Sequence, residues 1–304
     1  MTWQRVASSG SGKGANSLLS KRTKLDDIVD VVTQFITNFV KSLTLQTQTL
    51  TLFIRSTRNK HECLTPLLHS DGTLNASYNC IDRHLEAKRD QAALIWEGDE
   101  LDEVETITYG QLHELVSRLA NVLKQANVAV GEPVAIYLPC SIIAAAAMQA
   151  CVRIGAPHAV VFAGFSPGAL ADRINDCGAR VLITMDGARR GGKVVNLKAI
   201  ADEAVKQCPG LTHCFVTGRL GAASGSLTNA IDVDLDAAIA NVSEQCDPIT
   251  VHAENPLYLL YTSGSTGKPK GLIHTTGGYL THAACVHKHA FKVSVFQNLC
   301  EQFI

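Results

Sequence analysis

Short apolar runs alternate with longer amphipathic stretches over most of the chain after Thr73. Runs of strand length, bounded by turn residues, occur at Ala92–Trp96, Pro133–Leu138, Ala159–Phe162, Arg180–Met185, Thr212–Val216 and Leu257–Leu260. Apolar positions at helical spacing lie between them, at Ile142–Ile154, Pro167–Cys177 and Lys198–Gln207, and after Thr108, whose side chain can cap a helix. Strands that alternate with helices at this spacing predict an α/β fold, with a mostly parallel sheet and flanking helices.

The first 68 residues have a different pattern. Apolar side chains recur at helical spacing over Asp26–Val40, and the Thr- and Gln-rich stretch Thr44–Thr51 predicts weak order. Residues 1–60 hold nine Lys or Arg against three Asp or Glu, and residues 1–25 hold no acidic side chain. This composition is compatible with an organellar transit peptide, and a disordered basic leader explains it equally well. We therefore expect a basic, partly disordered extension at residues 1–68.

The overall composition argues against several broad classes of function. The chain is 46% hydrophobic and 18% charged with a formal net charge of −1, which disfavours a general role on nucleic acid or on a membrane surface. The most apolar stretch, Val134–Val152, is interrupted by Pro139 and Gln149 and therefore predicts a strand and a core helix rather than a membrane span. Ten cysteines without a C-x-x-C pair lack zinc-ligand spacing and favour a reducing compartment. We expect a cytoplasmic protein, with a mitochondrial location as the alternative.

The strongest chemical signal is the run from Tyr261 to Gly271, Tyr-Thr-Ser-Gly-Ser-Thr-Gly-Lys-Pro-Lys-Gly. Its glycines permit backbone conformations in which successive N–H groups face an anion, and its hydroxyls and lysines add donors and positive charge. Only two residues separate Gly264 from Gly267, and Pro269 disfavours a helix, so the run is not a Walker A loop. A flexible Gly/Ser linker is the plain alternative, but apolar segments flank the run on both sides. The run therefore predicts a loop that binds a polyphosphate.

The same run resembles the signature loop of the adenylate-forming, or AMP-binding, enzymes. The continuation Leu272–Tyr279 and the stretches Gly72–Leu85 and Arg153–Ser166 are similar to acetyl-CoA synthetases, which are acetate–CoA ligases. The resemblance implies that ATP phosphates are bound by Thr262, Ser263, Gly264, Ser265, Thr266, Gly267, Lys268 and Lys270. It also implies a two-step reaction: acetate attacks the α-phosphate of ATP, pyrophosphate leaves, and the coenzyme A thiolate then attacks the acyl adenylate. Mg²⁺ is the implied metal.

A second group of residues, Arg190-Gly-Gly-Lys193, follows the predicted strand Arg180–Met185. Arginine offers a planar fork for a phosphate, lysine a point charge, and the glycines let backbone N–H groups approach, although most such turns are simply solvated. In the acetyl-CoA synthetases the matching stretch, at the same distance before a Leu-Lys pair, binds the phosphorylated adenosine end of coenzyme A; here that pair is Leu197-Lys198. The resemblance thus implies a coenzyme A site at Arg190, Gly191, Gly192 and Lys193, with Gly164 in a turn along the coenzyme A path.

The remaining polar groups are predicted to be structural. The segment from Glu97 to Glu105 holds six acidic residues and is expected to be a solvated turn, with a metal site as a remote alternative. His274 is expected to be a hydrogen-bonding group at a strand end. His287 and His289 are two residues apart and do not share a helix face, so a metal pair is not expected.

The resemblance divides the rest of the chain into a partial AMP-binding domain at 69–292 and a divergent tail at 293–304. In the family the adenine site, the acyl pocket and a lysine of a mobile domain lie downstream of the position of Tyr279. We therefore expect no catalytic residue in this chain and no synthesis of acetyl-CoA by it alone. A non-catalytic fragment that binds phosphates weakly or acts through protein contacts is the alternative, and propionate or another short acid is an alternative substrate. Acetate, ATP and coenzyme A are the expected partners, and chaperone binding or self-association of the chain is also open.

Overall fold

The computed structural model describes residues 72–100, 103–221, 227–262 and 269–289. The predicted extension at 1–68, its helix at Asp26–Val40 and the tail at 293–304 lie outside these residues. Within the described part of the chain, no helix is long and apolar enough to cross a membrane. Four of the seven cysteines that it describes as free are buried, whereas Cys80 and Cys140 are exposed.

The described strands and helices alternate along most of the chain, as the hydrophobic pattern predicts. The strands are β1 (Thr73–Leu74), β2 (Ala92–Glu97), β3 (Val104–Thr108), β4 (Val134–Tyr137), β5 (His158–Val160), β6 (Val181–Met185), β7 (Ala188–Arg190), β8 (Lys193–Val195), β9 (His213–Thr217), β10 (Asp232–Asp234), β11 (Val251–His252), β12 (Pro256–Thr262) and β13 (Lys270–Thr275). The helices are α1 (Ala76–Cys80), α2 (Leu85–Lys88), α3 (Tyr109–Gln125), α4 (Ile142–Arg153), α5 (Pro167–Cys177), α6 (Leu197–Val205), α7 (Leu235–Ala240) and α8 (Thr276–His289), with a 3-10 turn at Asp82–His84.

One seven-stranded sheet forms the centre of the fold, in the order β10-β9-β6-β4-β5-β12-β13. All neighbouring strands in it are parallel except β12 and β13, which are antiparallel. Every residue of β4 and of β6 is buried, as expected for parallel strands that are covered on both faces. The predicted α/β fold with a mostly parallel sheet and flanking helices is confirmed.

The helices lie on both faces of this sheet. In the order of the sheet, β5 lies on one side of β4, whereas β6 and β9, which follow β5 in the chain, lie on the other side of β4. Because parallel crossovers are right-handed, α4 lies on one face and α5 and α6 lie on the opposite face. Helix α3 packs with α4 and with α7, whereas α5 packs with α6. The carboxyl end of β4 is therefore a topological switch point, the place where open α/β sheets bind ligands.

The helix ends follow from local sequence chemistry. The Thr108 hydroxyl accepts a hydrogen bond from the Gln111 N–H at 3.2 Å, and the Gln111 side chain accepts one from the Thr108 N–H at 2.9 Å. Helix α5 begins after the cap Ser166 with proline at its first position and ends at Gly178, whose φ is 69°. Both predicted helix starts, at Thr108 and at Pro167, are confirmed.

The prediction of a buried strand at Leu257–Leu260 is wrong for its second half. Strand β12 extends over Pro256–Thr262, and Leu257 is buried, but Leu260 is 45% exposed. Leu260 pairs with Leu272 of the edge strand β13, which is exposed as well, so the described residues leave this part of the sheet face uncovered. An apolar run indicates a strand, but it does not indicate how much of that strand is covered.

Candidate functional site

The predicted phosphate loop connects two antiparallel strands, β12 and β13. Thr262 and Lys270 are the paired residues nearest to the loop, and both are exposed. The loop residues between them lie outside the described residues: Ser263, Gly264, Ser265, Thr266, Gly267 and Lys268. A strand rather than a helix follows the loop, as expected once a Walker A loop is excluded.

Tyr261 attaches this hairpin to helix α5. Its hydroxyl donates a hydrogen bond to the Asp176 carboxylate at 2.6 Å, and the Arg173 guanidinium carbon lies 5.6 Å from its ring centroid. A Cβ at Gly271 would lie 3.1 Å from the Tyr261 ring, so glycine at this position makes room for the ring. Partial burial, together with the adjacent Asp176 carboxylate, raises the pKa of Tyr261 above its ordinary value. The tyrosine therefore remains a hydrogen-bond donor at neutral pH.

The turn that contains Gly164 follows β5 and is held against the end of β4. The φ of Gly164 is 109°, a conformation that favours glycine. Its N–H donates to the hydroxyl of Tyr137 at 3.1 Å, and that hydroxyl donates to the Phe165 carbonyl at 3.1 Å. Because Tyr137 is a buried residue at the carboxyl end of β4, it fixes this turn at the switch point. Sequence reasoning missed Tyr137 among its apolar neighbours, although a buried tyrosine hydroxyl needs a partner.

Arg190 and Gly164 lie side by side, although separate motifs predicted them. A Cβ at Gly164 would be 4.0 Å from the Nη1 atom of Arg190. The Arg190 guanidinium carbon is 5.5 Å from the centroid of the Phe162 ring, and Phe162 is 55% exposed. An exposed cation beside an exposed aromatic ring suits a ligand that carries both a phosphate and a planar group. Sequence reasoning did not identify Phe162 as part of this site.

The run Arg190-Gly-Gly-Lys193 forms the turn of a β-hairpin. Arg190 pairs with Lys193, and the φ angles of Gly191 and Gly192 are 59° and 71°, as in a two-residue type I′ turn. The carboxylate of Asp99 accepts a hydrogen bond from the Gly192 N–H at 3.1 Å. The amides of Gly192 and Gly191 lower the pKa of Asp99 below its ordinary value. The backbone N–H groups of this turn therefore bind an anion, which is the Asp99 carboxylate of the chain itself.

The described residues of the acidic segment 97–105 are largely exposed, as predicted for a solvated turn, but their carboxylates also make tertiary contacts. Besides the contact with the hairpin turn, its Glu100 carboxylate lies 3.3 Å from the Arg189 guanidinium, and its Glu103 carboxylate lies 2.8 Å from that of Arg219. Opposite charges that are distant in sequence thus hold the segment against Arg189 of the hairpin and against Arg219 after β9, which local composition does not show. Among the residues that the structure describes, no group of three or more His, Cys, Asp or Glu side chains could hold a metal ion.

Asp186 secures the base of the hairpin. It follows β6, and its buried carboxylate accepts four backbone N–H bonds, from Gly187 at 2.6 Å, Arg219 at 2.9 Å, Leu220 at 2.9 Å and Gly221 at 3.0 Å. Such charge-assisted bonds are stronger than neutral ones. Asp186 thus connects the start of the hairpin, at Gly187, to the segment that follows β9, and sequence reasoning missed it.

The predicted site segments all lie at the carboxyl ends of strands in the central sheet. The Gly164 turn follows β5, the β7–β8 hairpin follows β6, and the phosphate loop begins at Thr262, where β12 ends. All three strands run in the same direction, so their carboxyl ends lie on the same edge. Segments about one hundred residues apart in the chain therefore converge on the edge where α/β proteins bind ligands.

A separate apolar cavity of about 560 Å³ is lined by residues that include Met148, Gln149, His158 and Tyr258. Burial lowers the pKa of His158 to about 4, so this side chain is neutral at physiological pH. His274 stacks on Tyr258 with ring centroids 4.4 Å apart, in line with its predicted structural role. None of the residues predicted for ATP or coenzyme A lines this cavity.

Comparisons with known proteins agree with the fold and identify the family. A family model described as AMP-binding enzyme matches residues 81–300. The acetyl-coenzyme A synthetase of Halorhodospira halophila is 53% identical over 220 residues, which cover 72% of this chain and 34% of that protein. The acetyl-coenzyme A synthetase of Novosphingobium aromaticivorans is 52% identical over 222 residues, which cover 73% of this chain and 34% of that protein.

A solved structure supports the same fold. The crystal structure of the Brucella canis acyl-CoA synthetase matches with a TM-score of 0.62 at 22% identity, covering 75% of this chain and 38% of that chain. The chain spans 34% of the length of each of the two curated relatives, and the part that matches includes the sheet, the β7–β8 hairpin and the phosphate loop. On this evidence, the chain belongs to the AMP-binding enzyme family.

Proposed function

We propose that this chain functions in acetate–CoA ligation, in which acetate is adenylated with ATP and then joined to coenzyme A as a thioester. The observation that carries the proposal is the convergence of the Gly164 turn, the β7–β8 hairpin and the start of the phosphate loop on one edge of the parallel sheet. Acetate is proposed as the acid because relatives at 52% and 53% identity are named acetyl-coenzyme A synthetase.

We assign the phosphorylated adenosine end of coenzyme A to the hairpin turn. Arg190 offers its guanidinium fork, Gly191 and Gly192 offer backbone N–H groups, and Lys193 adds charge. Gly164 leaves open space next to Arg190, because a side chain there would lie against the guanidinium at 4.0 Å. The exposed ring of Phe162 is placed to pack against the adenine.

We assign the ATP phosphates to the loop from Thr262 to Lys270. Its charged and N–H donors would stabilise the negative charge that develops as acetate attacks the α-phosphate. The antiparallel pairing of Thr262 with Lys270 holds both ends of the loop together, and Tyr261 anchors them to helix α5. Mg²⁺ stays an expectation from the family resemblance. Among the described residues, no group of three or more His, Cys, Asp or Glu side chains could hold it.

Substitution of Arg190 tests the coenzyme A assignment. Isothermal titration calorimetry of the chain with coenzyme A and with 3′-dephospho-coenzyme A, which lacks only the 3′-phosphate, should show tighter binding of coenzyme A. Arg190→Met should weaken coenzyme A binding by about tenfold, the value of one hydrogen bond between charged groups, and should remove the preference. Arg189→Met is the matched control, because the adjacent Arg189 faces Glu100. Equal effects of the two substitutions would contradict the assignment.

The ATP assignment has a similar test. Lys270→Met should weaken binding of ATP by about tenfold, because one charged contact to phosphate is lost. Lys206→Met is the control, since Lys206 is an exposed lysine on the surface that pairs with Glu203 at 2.6 Å. If both substitutions leave the affinity for ATP unchanged, Lys270 does not contact the nucleotide.

A non-catalytic interaction fragment is the second candidate, and one observation favours it. Leu260, Leu272 and Ile273 are 45%, 50% and 61% exposed on two adjacent strands. Leu260 and Leu272 are paired across the two strands and share one face of the sheet, and exposed apolar side chains at an edge strand favour association. As for location, we propose the cytoplasm; the reported relatives are bacterial and give no support to the mitochondrial alternative.

A further inference from the structure

The anion-binding turn of the β7–β8 hairpin carries an internal ligand. The Asp99 carboxylate accepts a hydrogen bond from the Gly192 N–H at 3.1 Å, and this N–H is one of the donors assigned above to the ligand phosphate. Asp99 and the turn lie 93 positions apart in the chain, so the contact is tertiary. Asp99 is exposed, which lets its carboxylate move into water when another anion arrives.

We propose that Asp99 is an intramolecular competitor that a phosphate must displace from the Gly191–Gly192 turn, and that it thereby sets the affinity of this site for phosphorylated ligands. The inference rests on the proposed coenzyme A site and adds a residue to it. It assigns to Asp99 a role in affinity, since the carboxylate opposes only a ligand whose phosphate enters the turn and leaves a ligand without that phosphate unaffected.

Electrostatics makes displacement necessary. A phosphate bound to the same N–H groups would lie beside the Asp99 carboxylate, and the two like charges would repel each other. The amides that hold Asp99 also keep its pKa low, so the competing charge is present throughout the neutral range. Because the contact is at the surface, it is weak, and a dianionic phosphate that also reaches Arg190 can replace it.

A role in positioning the turn predicts the opposite result. If Asp99 served mainly to order the hairpin, its loss would loosen Arg190 and weaken binding. Asp99→Asn separates the two roles, because the amide keeps an oxygen that can accept the Gly192 hydrogen bond and loses only the charge. Glu100→Gln is the matched control, since Glu100 is adjacent and faces Arg189 rather than the turn.

The experiment is titration of the wild-type chain, Asp99→Asn and Glu100→Gln with coenzyme A and with 3′-dephospho-coenzyme A at one ionic strength. Asp99→Asn should bind coenzyme A about fivefold more tightly, the upper range for a surface ion pair, and should bind the dephospho ligand as the wild type does. Glu100→Gln should behave as the wild type with both ligands.

Two outcomes overturn the inference, and they can be told apart. If the wild type prefers coenzyme A but Asp99→Asn binds it equally or more weakly, the site stands and Asp99 is not a competitor. If the wild type binds both ligands equally, the proposed phosphate site itself fails, and the competition fails with it.

Discussion

The ion pair between Arg153 and Asp82 provides the most direct test of how this fold is held together. Arg153 is the last residue of α4 and its side chain is 2% exposed. Its two terminal nitrogens each lie 2.8 Å from an Asp82 oxygen, and one of them also donates to the Ser77 hydroxyl at 3.3 Å. His113 lies 3.4 Å from the same carboxylate. The pair thus connects the first described segment of the chain to the helical layer on the sheet.

Asp82→Asn should destabilise the chain by about 3–5 kcal/mol, because it leaves the guanidinium buried without a counter-charge. In urea unfolding followed by circular dichroism, a loss of this size moves the midpoint by roughly 1–2 M at an unchanged slope. The matched control is Glu114→Gln, which removes the partner of Arg89 in a pair that is 57% and 42% exposed. The control should cost at most about 1 kcal/mol. Equal midpoints for the two variants would refute the reasoning.

The pH dependence of the unfolding free energy provides a second test of the same ion pair. The Arg153 guanidinium and His113 outweigh the effect of burial and lower the pKa of Asp82 to about 2, from an ordinary value of 3.8. A carboxyl whose folded pKa is depressed contributes stability that is present above its unfolded pKa and is lost as pH falls through the folded one. The difference in stability between the wild type and Asp82→Asn should therefore decrease as the pH falls from about 4 to 2. A difference that does not change over this range would contradict the assignment of the shift to Asp82.

Three further predictions concern the site and the sheet edge. Asp186→Asn should lower the unfolding free energy by about 2–3 kcal/mol, because four backbone N–H groups lose a charged acceptor; an unchanged melting temperature would argue against it. Tyr137→Phe should cost about 1–2 kcal/mol in urea unfolding and weaken coenzyme A binding, because it leaves the Gly164 N–H without its partner; full retention of both properties would count against the role of the hydroxyl. A double Leu272→Lys and Ile273→Lys variant should sediment as a smaller species than the wild type, since both side chains are more than 45% exposed on an edge strand; a wild type that is already monomeric would refute this.

The fold was predictable where local chemistry and periodicity agree. A capping residue followed by amphipathic spacing fixed the start of α3 at Thr108, and Ser166-Pro167 with Gly178 bounded α5 at both ends. Predominantly apolar runs located β4 and β6, because both faces of those strands are covered. The exposure of Leu260 was not predictable, because it depends on which elements lie beside β12.

The site was predictable only in part. Motifs indicated Gly164 and Arg190 separately, but their proximity depends on the order of the strands, which the sequence does not state. The contact between Asp99 and Gly192 joins residues 93 positions apart, and an acidic segment by itself indicates solvation. A Gly-Gly pair between two short β-forming segments is a hairpin signal, and it could have identified the β7–β8 turn.

The central claim is that the β7–β8 turn binds the phosphate of coenzyme A, and the amide resonances of Gly191 and Gly192 report on it directly. In two-dimensional ¹H–¹⁵N spectra of the chain, coenzyme A should shift both glycine resonances, because their N–H groups exchange the Asp99 carboxylate for a phosphate. 3′-Dephospho-coenzyme A at the same concentration should leave them in place. Glycine resonances that move equally with both ligands, or with neither, would contradict the account.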